Sequence, residues 1–179
     1  MSRVETRPVV LGIGQPMAGD DGVGIAVARA LAASAGTGPG IDVRESTDAT
    51  ALLALLEEGR TVVVVDAVIG GGDAGPGVRP QDGAQDAKPG TILCLDSGAL
   101  GEDGAPVVPV SSHGIGVAES LDLAATLLGE DVAQRVRIVG IVVARTERFE
   151  TGLSPAVAAA VEPAAAIAGA IARSMKSLG

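Results

Sequence analysis

Three segments of the sequence carry side chains that can act together in chemistry. Two adjacent carboxylates, Asp20 and Asp21, stand in the glycine-rich stretch GIGQPMAGDDGVG. A third, Asp66, closes the apolar run TVVVVDA, and the only histidine, His113, stands in VSSHGIG. Two carboxylates and one imidazole, with room left for water or substrate, suit a borderline divalent ion such as nickel or zinc. The residue types therefore predict a metal site made from separate parts of the chain.

The glycine-rich stretch also resembles a loop that holds a phosphate, but its residues argue against this function. The dinucleotide fingerprint needs a glycine where Met17 stands, and Pro16 has no backbone amide to donate. The two aspartates would repel a pyrophosphate at the start of the following helix. One aspartate can be explained as a helix N-cap, worth about 1 kcal/mol. The other remains available for function.

Asp66 ends an otherwise apolar strand, where a carboxylate must be hydrogen-bonded, paired or bound to a cation. Ligands of open α/β sheets gather outside the carboxyl ends of the strands, which is where the loop after strand one also lies. We therefore expect Asp20 or Asp21 to approach Asp66. The alternative is that Asp66 caps a neighbouring turn. The segment of about 17 residues before His113 can span ~55 Å, so its reach does not keep the histidine away.

Other catalytic schemes have less support. The sequence has no G-x-S-x-G nucleophile elbow. Cys94 lies inside the strand-like TILCL, so we predict a packed side chain and not a nucleophile. Ser111 and Ser112 are too close to His113 in sequence to serve it well as a nucleophile.

Apolar runs of strand length alternate with segments of helical period, which predicts a parallel sheet covered by helices. The third strand has no polar alternation and is predicted to be buried on both faces. The last helix is predicted to start at the Ser154–Pro155 pair and to kink at Pro163. The predicted strands are 9–13, 41–45, 61–67, 91–95 and 136–143, and the predicted helices are 22–33, 49–59 (closed by Gly59), 116–128 and 154–175.

Composition narrows the class of protein. A length of 179 residues and 47% hydrophobic residues fit one globular domain, 1–179. A formal net charge of −9 argues against binding to nucleic acids or to anionic membranes. One cysteine, no signal-peptide pattern and no uninterrupted transmembrane stretch predict a cytoplasmic protein. The Gly- and Pro-rich segment from Gly70 to Gly90 is predicted to be a surface loop.

The motifs GIGQPMAGDDGVG, VVVVDAV, SSHGIG, VGI and TGLSPAVAAAVEPA, in this order, resemble the nickel-iron hydrogenase maturation proteases. The resemblance runs from about Val9 to the last helix. It implies that Asp21, Asp66 and His113 bind nickel, and that Asp20 is the helix cap or a hydrogen-bonding partner of the ligands. It also implies a three-layer α/β/α sandwich around a twisted, mostly parallel five-stranded sheet.

The same resemblance implies a function. The protein is expected to be an endopeptidase that removes a C-terminal extension from the nickel-loaded precursor of a hydrogenase large subunit. Nickel is expected to come with the precursor and to act as the recognition signal, and the protease is expected to be a monomer. Polarisation of the scissile carbonyl and activation of a water are both open as the chemistry of hydrolysis.

The sequence departs from the family pattern at two places, and two other functions remain open. Gln15 stands where the family usually has Asn, and RESTDAT keeps only Thr47 of a loop that often reads Asp/Gly-Gly-Thr. These differences, with the Gly70 to Gly90 loop, can alter the choice of hydrogenase. The alternative functions are a nickel-binding chaperone or sensor that does not cleave the precursor, and a metallohydrolase that acts on small peptides.

Overall fold

A computed structural model describes residues 7–34, 40–69, 87–96, 116–144 and 151–176. The described elements are, in chain order, β1 (Val9–Ile13), a 3-10 turn (Gly19–Gly22), α1 (Val23–Ala33), β2 (Asp42–Ser46), α2 (Thr50–Glu57), β3 (Val62–Ile69), β4 (Ile92–Asp96), α3 (Val117–Leu128), a second 3-10 turn (Glu130–Arg135), β5 (Val136–Val143) and α4 (Pro155–Lys176). Their order and type agree with the sequence analysis, with bounds shifted by one or two residues at most ends.

The described strands form one five-stranded sheet in the order β2-β1-β3-β5-β4. The β1–β2, β1–β3 and β3–β5 pairs are parallel, and β4 runs antiparallel to β5. The chain passes from β1 to β2 on one side and later to β3 on the other. The carboxyl ends of β1 and β3 therefore flank the point where the winding direction changes, which is where open α/β sheets bind their ligands.

Both faces of the sheet are covered, which gives the three layers that were predicted. Odd-numbered β3 residues such as Val63 and Val65 pack in one cluster with α1 and α4, and even-numbered ones such as Val62 and Val64 pack in the other with α2 and α3. Side chains of a strand alternate between the faces, so a strand buried on both must be apolar throughout. That accounts for the unbroken valine run before Asp66.

The last helix, α4, starts at Pro155 as predicted, because proline has no amide to lose at the first helical position. It continues through the exposed Pro163 to Lys176. Of the helices in the described part of the chain, this one alone is long and apolar enough to cross a membrane by composition. Its buried side chains, Val157, Ala160 and Ala164 among them, pack in the α1–α4 core cluster, as expected for a core helix.

Candidate functional site

Asp66 lies within β3 and not at its end, which corrects the sequence-based expectation. The last β1–β3 pair joins Gly12 to Val65, and β1 ends one residue later at Ile13. β3 continues beside β5, with Asp66 opposite Gly140, because β5 is long enough to pair with it as far as Ile69. Asp66 is therefore the first residue of β3 that is no longer paired with β1.

The Asp66 carboxyl group is buried, and no cationic side chain among the described residues forms an ion pair with it. Its side chain is 8% exposed, and its Oδ1 accepts a hydrogen bond of 2.8 Å from the Ala67 amide. This bond is made within β3, so it does not support the alternative in which Asp66 caps a turn. Burial raises the pKa of Asp66 to about 7; the Ala67 amide opposes this shift, and the negative charge of Asp21 adds to it. The arrangement therefore favours either the protonated form of Asp66 or a cation bound next to its carboxylate.

Asp21 lies in the 3-10 turn Gly19–Gly22 between β1 and α1. Its Oδ2 accepts a hydrogen bond of 3.1 Å from the Gln15 amide, which ties the turn back to the end of β1. Burial is the main cause of the raised pKa of Asp66, and the negative charge of Asp21 adds to it. Two of the three predicted ligands, Asp21 and Asp66, therefore lie where the charge of one acts on the other, Asp21 in the turn after β1 and Asp66 within the neighbouring strand β3.

The glycines of this stretch serve close backbone packing. A Cβ at Gly24 would lie 2.1 Å from the Ile13 carbonyl oxygen and 2.4 Å from that of Val65, so α1 can begin against β1 and β3 only with a glycine there. Gly14 has a φ of +150°, and a Cβ on it would lie 2.1 Å from the Asp21 carbonyl oxygen. These contacts give the glycines of this stretch a role in packing that needs no bound phosphate.

Asp20 does not cap α1, which was one of the two roles expected for it. The residue preceding α1 is Gly22, and no side chain caps that helix. Instead, Asp20 Oδ1 accepts a hydrogen bond of 2.6 Å from the Ser154 amide, and Oδ2 accepts one of 2.8 Å from the Ser154 hydroxyl. Asp20 therefore binds the start of α4. The Ser154–Pro155 pair predicts the start of α4, but no local pattern predicts a partner 134 positions away in the sequence.

The two departures from the family pattern meet in space. The Gln15 side-chain amide donates a hydrogen bond of 3.4 Å to the Thr47 carbonyl oxygen. The bond joins the loop after β1 to the loop after β2 through a backbone acceptor, so it does not depend on the threonine side chain.

The prediction that Cys94 is packed is wrong. Its side chain is exposed and forms no disulfide. The reason is its strand: β4 is at the end of the strand order, with β5 as its neighbour. An apolar run such as TILCL does not tell an edge strand from a central one.

The third predicted ligand, His113, falls outside the described residues, as do most of the Gly70 to Gly90 loop and the SSHGIG motif. Among the described residues no group of three His, Cys, Asp or Glu side chains is arranged to hold a metal ion. The carboxylate oxygens of Asp21 and Asp66 nevertheless suit part of a cation site. The two residues are acidic neighbours, and burial disfavours ionisation of Asp66 unless positive charge is near.

Comparison with solved structures gives full-length matches. The hydrogenase maturating endopeptidase HybD from E. coli matches with a TM-score of 0.65 and 21% identity, over 94% of this chain and 93% of that one. For the NiFe hydrogenase maturation protease HybD from Thermococcus kodakarensis the TM-score is 0.61 at 25% identity, over 93% and 99% of the two chains. The maturation protease HycI from Thermococcus kodakarensis KOD1 gives 0.62 at 23% identity, over 94% and 93%.

No protein-family model matches the chain, and no curated protein matches it significantly. The structural matches are nevertheless consistent with one another and nearly complete in both directions. The chain therefore has the fold of the nickel-iron hydrogenase maturation proteases.

Proposed function

We propose that this protein is an endopeptidase that removes the C-terminal extension from the nickel-loaded precursor of a nickel-iron hydrogenase large subunit. It acts as a single domain, 1–179, and as a monomer in the cytoplasm. The observation that carries the proposal is the pair formed by Asp21 and Asp66 at the β1–β3 switch point, in a chain whose fold matches hydrogenase maturation endopeptidases.

We further propose that Asp21, Asp66 and His113 contact the nickel ion that the precursor carries. A divalent ion would neutralise the two carboxylates and remove the cost of keeping an ionised Asp66 in a buried position. When bound, the ion can polarise an oxygen ligand. The residues of this chain then orient the precursor at the edge of the sheet where β1 and β3 end.

The chain order supports the assignment of the third ligand. His113 is four residues before Val117, the first residue of α3, so at most ~14 Å of chain separates them. Val117 packs in the same core cluster as Val62 and Val64, whose side chains lie on the same face of β3 as that of Asp66. The histidine thus precedes a helix that covers the face from which Asp66 projects.

The decisive experiment is intact-mass spectrometry of a large-subunit precursor mixed with this protein. One sample contains the nickel-loaded precursor and the other the metal-free precursor. The proposal requires the loss of a discrete C-terminal peptide in the nickel sample only. The variants Asp21→Asn, Asp66→Asn and His113→Ala should abolish that loss, whereas the exposed helix-surface variant Asp122→Asn should not.

An unchanged mass in both samples, together with a detectable complex, would instead favour a nickel-binding chaperone or sensor that does not cleave. Cleavage of unrelated short peptides without the precursor would favour a metallohydrolase that acts on small peptides. Normal processing by His113→Ala would remove that residue from the ligand set.

A further inference from the structure

Two short hydrogen bonds join the loop after β1 to the start of α4. Asp20 Oδ1 accepts from the Ser154 amide at 2.6 Å, and Asp20 Oδ2 accepts from the Ser154 hydroxyl at 2.8 Å. Both groups are partly buried. We call this pair of bonds the Asp20–Ser154 latch. Hydrogen bonds with an ionised acceptor are stronger than those between neutral groups, so the latch is a firm connection.

Ser154 presents both donors because of its place in the chain. It directly precedes Pro155, the first residue of α4, so its own amide lies outside the helical hydrogen-bond pattern. A carboxylate at this end of a helix is also favoured by the helix dipole. The 22-residue α4 is fixed in turn by apolar side chains such as Val157 and Ala160, which pack in the core cluster with α1. The latch therefore ties the loop to a rigid part of the fold.

The neighbouring residue, Asp21, depends on the same four-residue turn. Its carboxylate accepts from the Gln15 amide, and its carbonyl oxygen lies directly over Gly14. These contacts hold the turn from the β1 side, and the latch holds it from the α4 side. Since Asp20 and Asp21 share one peptide bond, freeing Asp20 loosens the backbone from which the Asp21 side chain projects.

We propose that Asp20 is a positioning residue: through the latch to Ser154, it fixes Asp21 next to Asp66 and does not itself contact the precursor or its metal. The proposal rests on the proposed function for the statement that Asp21 meets the precursor's metal. Its geometric part, that the latch orders Asp21, can be tested without any precursor.

Three variants separate a role in geometry from a role of the Asp20 charge. In Asp20→Asn the side chain can keep both contacts, since its Oδ1 accepts from the Ser154 amide and its Nδ2 donates to the hydroxyl oxygen after the hydroxyl rotates. Asp20→Ala removes both bonds, and Ser154→Ala removes one of the two. Asp122→Asn, on the exposed surface of α3, is the matched control for loss of one negative charge.

The first measurement is hydrogen exchange of the Gln15 amide by NMR, because that amide donates to Asp21 Oδ2. Loss of the latch in Asp20→Ala should speed this exchange about tenfold relative to wild type, with a smaller effect in Ser154→Ala. Asp20→Asn and Asp122→Asn should stay close to wild type. The Val64 amide in the central strand serves as the reference, since a general loss of stability would speed both amides.

Unchanged Gln15 exchange in Asp20→Ala would overturn the proposal, and so would equally fast exchange in Asp20→Asn and Asp20→Ala. If Asp20→Ala fails to fold, Ser154→Ala gives the same comparison in milder form, and wild-type exchange there would count against the latch.

The second measurement is the rate of processing of the nickel-loaded precursor. The latch predicts a lower kcat for Asp20→Ala, with KM changed less, and recovery of most of the rate in Asp20→Asn. A variant Asp20→Asn that is as slow as Asp20→Ala while Gln15 exchange stays normal would show that Asp20 acts through its charge, against the proposal. If wild-type protein processes no precursor, the proposed function fails, and the exchange experiment still decides whether the latch orders Asp21.

Discussion

Burial raises the pKa of Asp66 and the charge of Asp21 adds to the shift, although Asp21 and Asp66 are 45 positions apart in the sequence. The interaction exists because β1 ends at Ile13 while β3 continues, so the turn that follows β1 lies beside the part of β3 that extends past β1. Burial of Asp66 is the larger cause of the shift, and the charge of Asp21 is a smaller one. The protein thus holds a buried acid at the point where its fold is expected to bind a ligand.

The Asp66 carboxyl group makes the stability of the metal-free protein depend on pH. Its pKa is about 7 in the folded chain against 3.8 for the ordinary group, so between these values the folded state retains a proton that the unfolded state has lost. Stability therefore falls as the pH rises through this window and levels off above about pH 7. The total loss that this group contributes is about 4 kcal/mol.

The variant Asp66→Asn should remove this dependence, because its side chain stays neutral and can still accept from the Ala67 amide. In urea unfolding of the metal-free proteins, the free energy of unfolding of the variant should rise relative to that of wild type. The expected rise is about 1.4 kcal/mol for each unit of pH increase between about pH 4 and 7. Asp122→Asn is the control and should follow the wild-type curve. A constant difference between Asp66→Asn and wild type over this range would contradict the raised pKa.

The variant Asp21→Asn separates the two causes of the Asp66 shift. Removing the Asp21 charge should lower the pKa of Asp66, but the value should stay well above 3.8 because burial is the larger cause. Titration of the Asp66 side-chain carboxyl carbon by NMR measures this directly. A return of the pKa to the ordinary aspartate range in Asp21→Asn would mean that the charge of Asp21, and not burial, controls Asp66.

The sequence was sufficient to predict the layers of the fold. The valine run of β3 could only be a strand buried on both faces, and Pro155 after Ser154 fixed the start of α4. It was also sufficient to predict that an aspartate of the first loop approaches Asp66, because parallel strands bring their carboxyl ends to one edge.

Other details depend on contacts that no local pattern encodes. A cap on the following helix was one of two roles expected for Asp20, but no side chain caps that helix and Asp20 binds Ser154, which a distant part of the chain brings to it. Cys94 was predicted to be packed because its strand is apolar, but the position of β4 at the sheet edge exposes it. The length of β3 beyond Asp66 is set by its pairing with β5, which the β3 sequence does not reveal.

The close approach of α1 to the sheet makes Gly24 a sensitive position. In Gly24→Ala the new methyl group would lie within 2.4 Å of two backbone carbonyl oxygens, and neither strand can move without breaking its pairing. We expect a loss of about 3 kcal/mol or more in the free energy of unfolding. Gly59→Ala is the control: Gly59 has a φ of +75° with no atom within 4 Å of its would-be Cβ, so it should cost only about 1–2 kcal/mol. Equal losses in urea unfolding would contradict the close approach at Gly24.

Cys94 should be reactive in the folded protein and dispensable for processing. Its side chain is exposed on β4, whereas the site residues Asp21 and Asp66 lie beside β1 and β3, with β5 between β3 and β4. A thiol reagent such as iodoacetamide should therefore label Cys94 without denaturant, as read by a single mass increment. Cys94→Ser should prevent labelling and leave precursor processing at the wild-type rate. Loss of processing in that variant would return Cys94 to the list of candidate nucleophiles, and failure to label the native protein would show that the strand edge is covered.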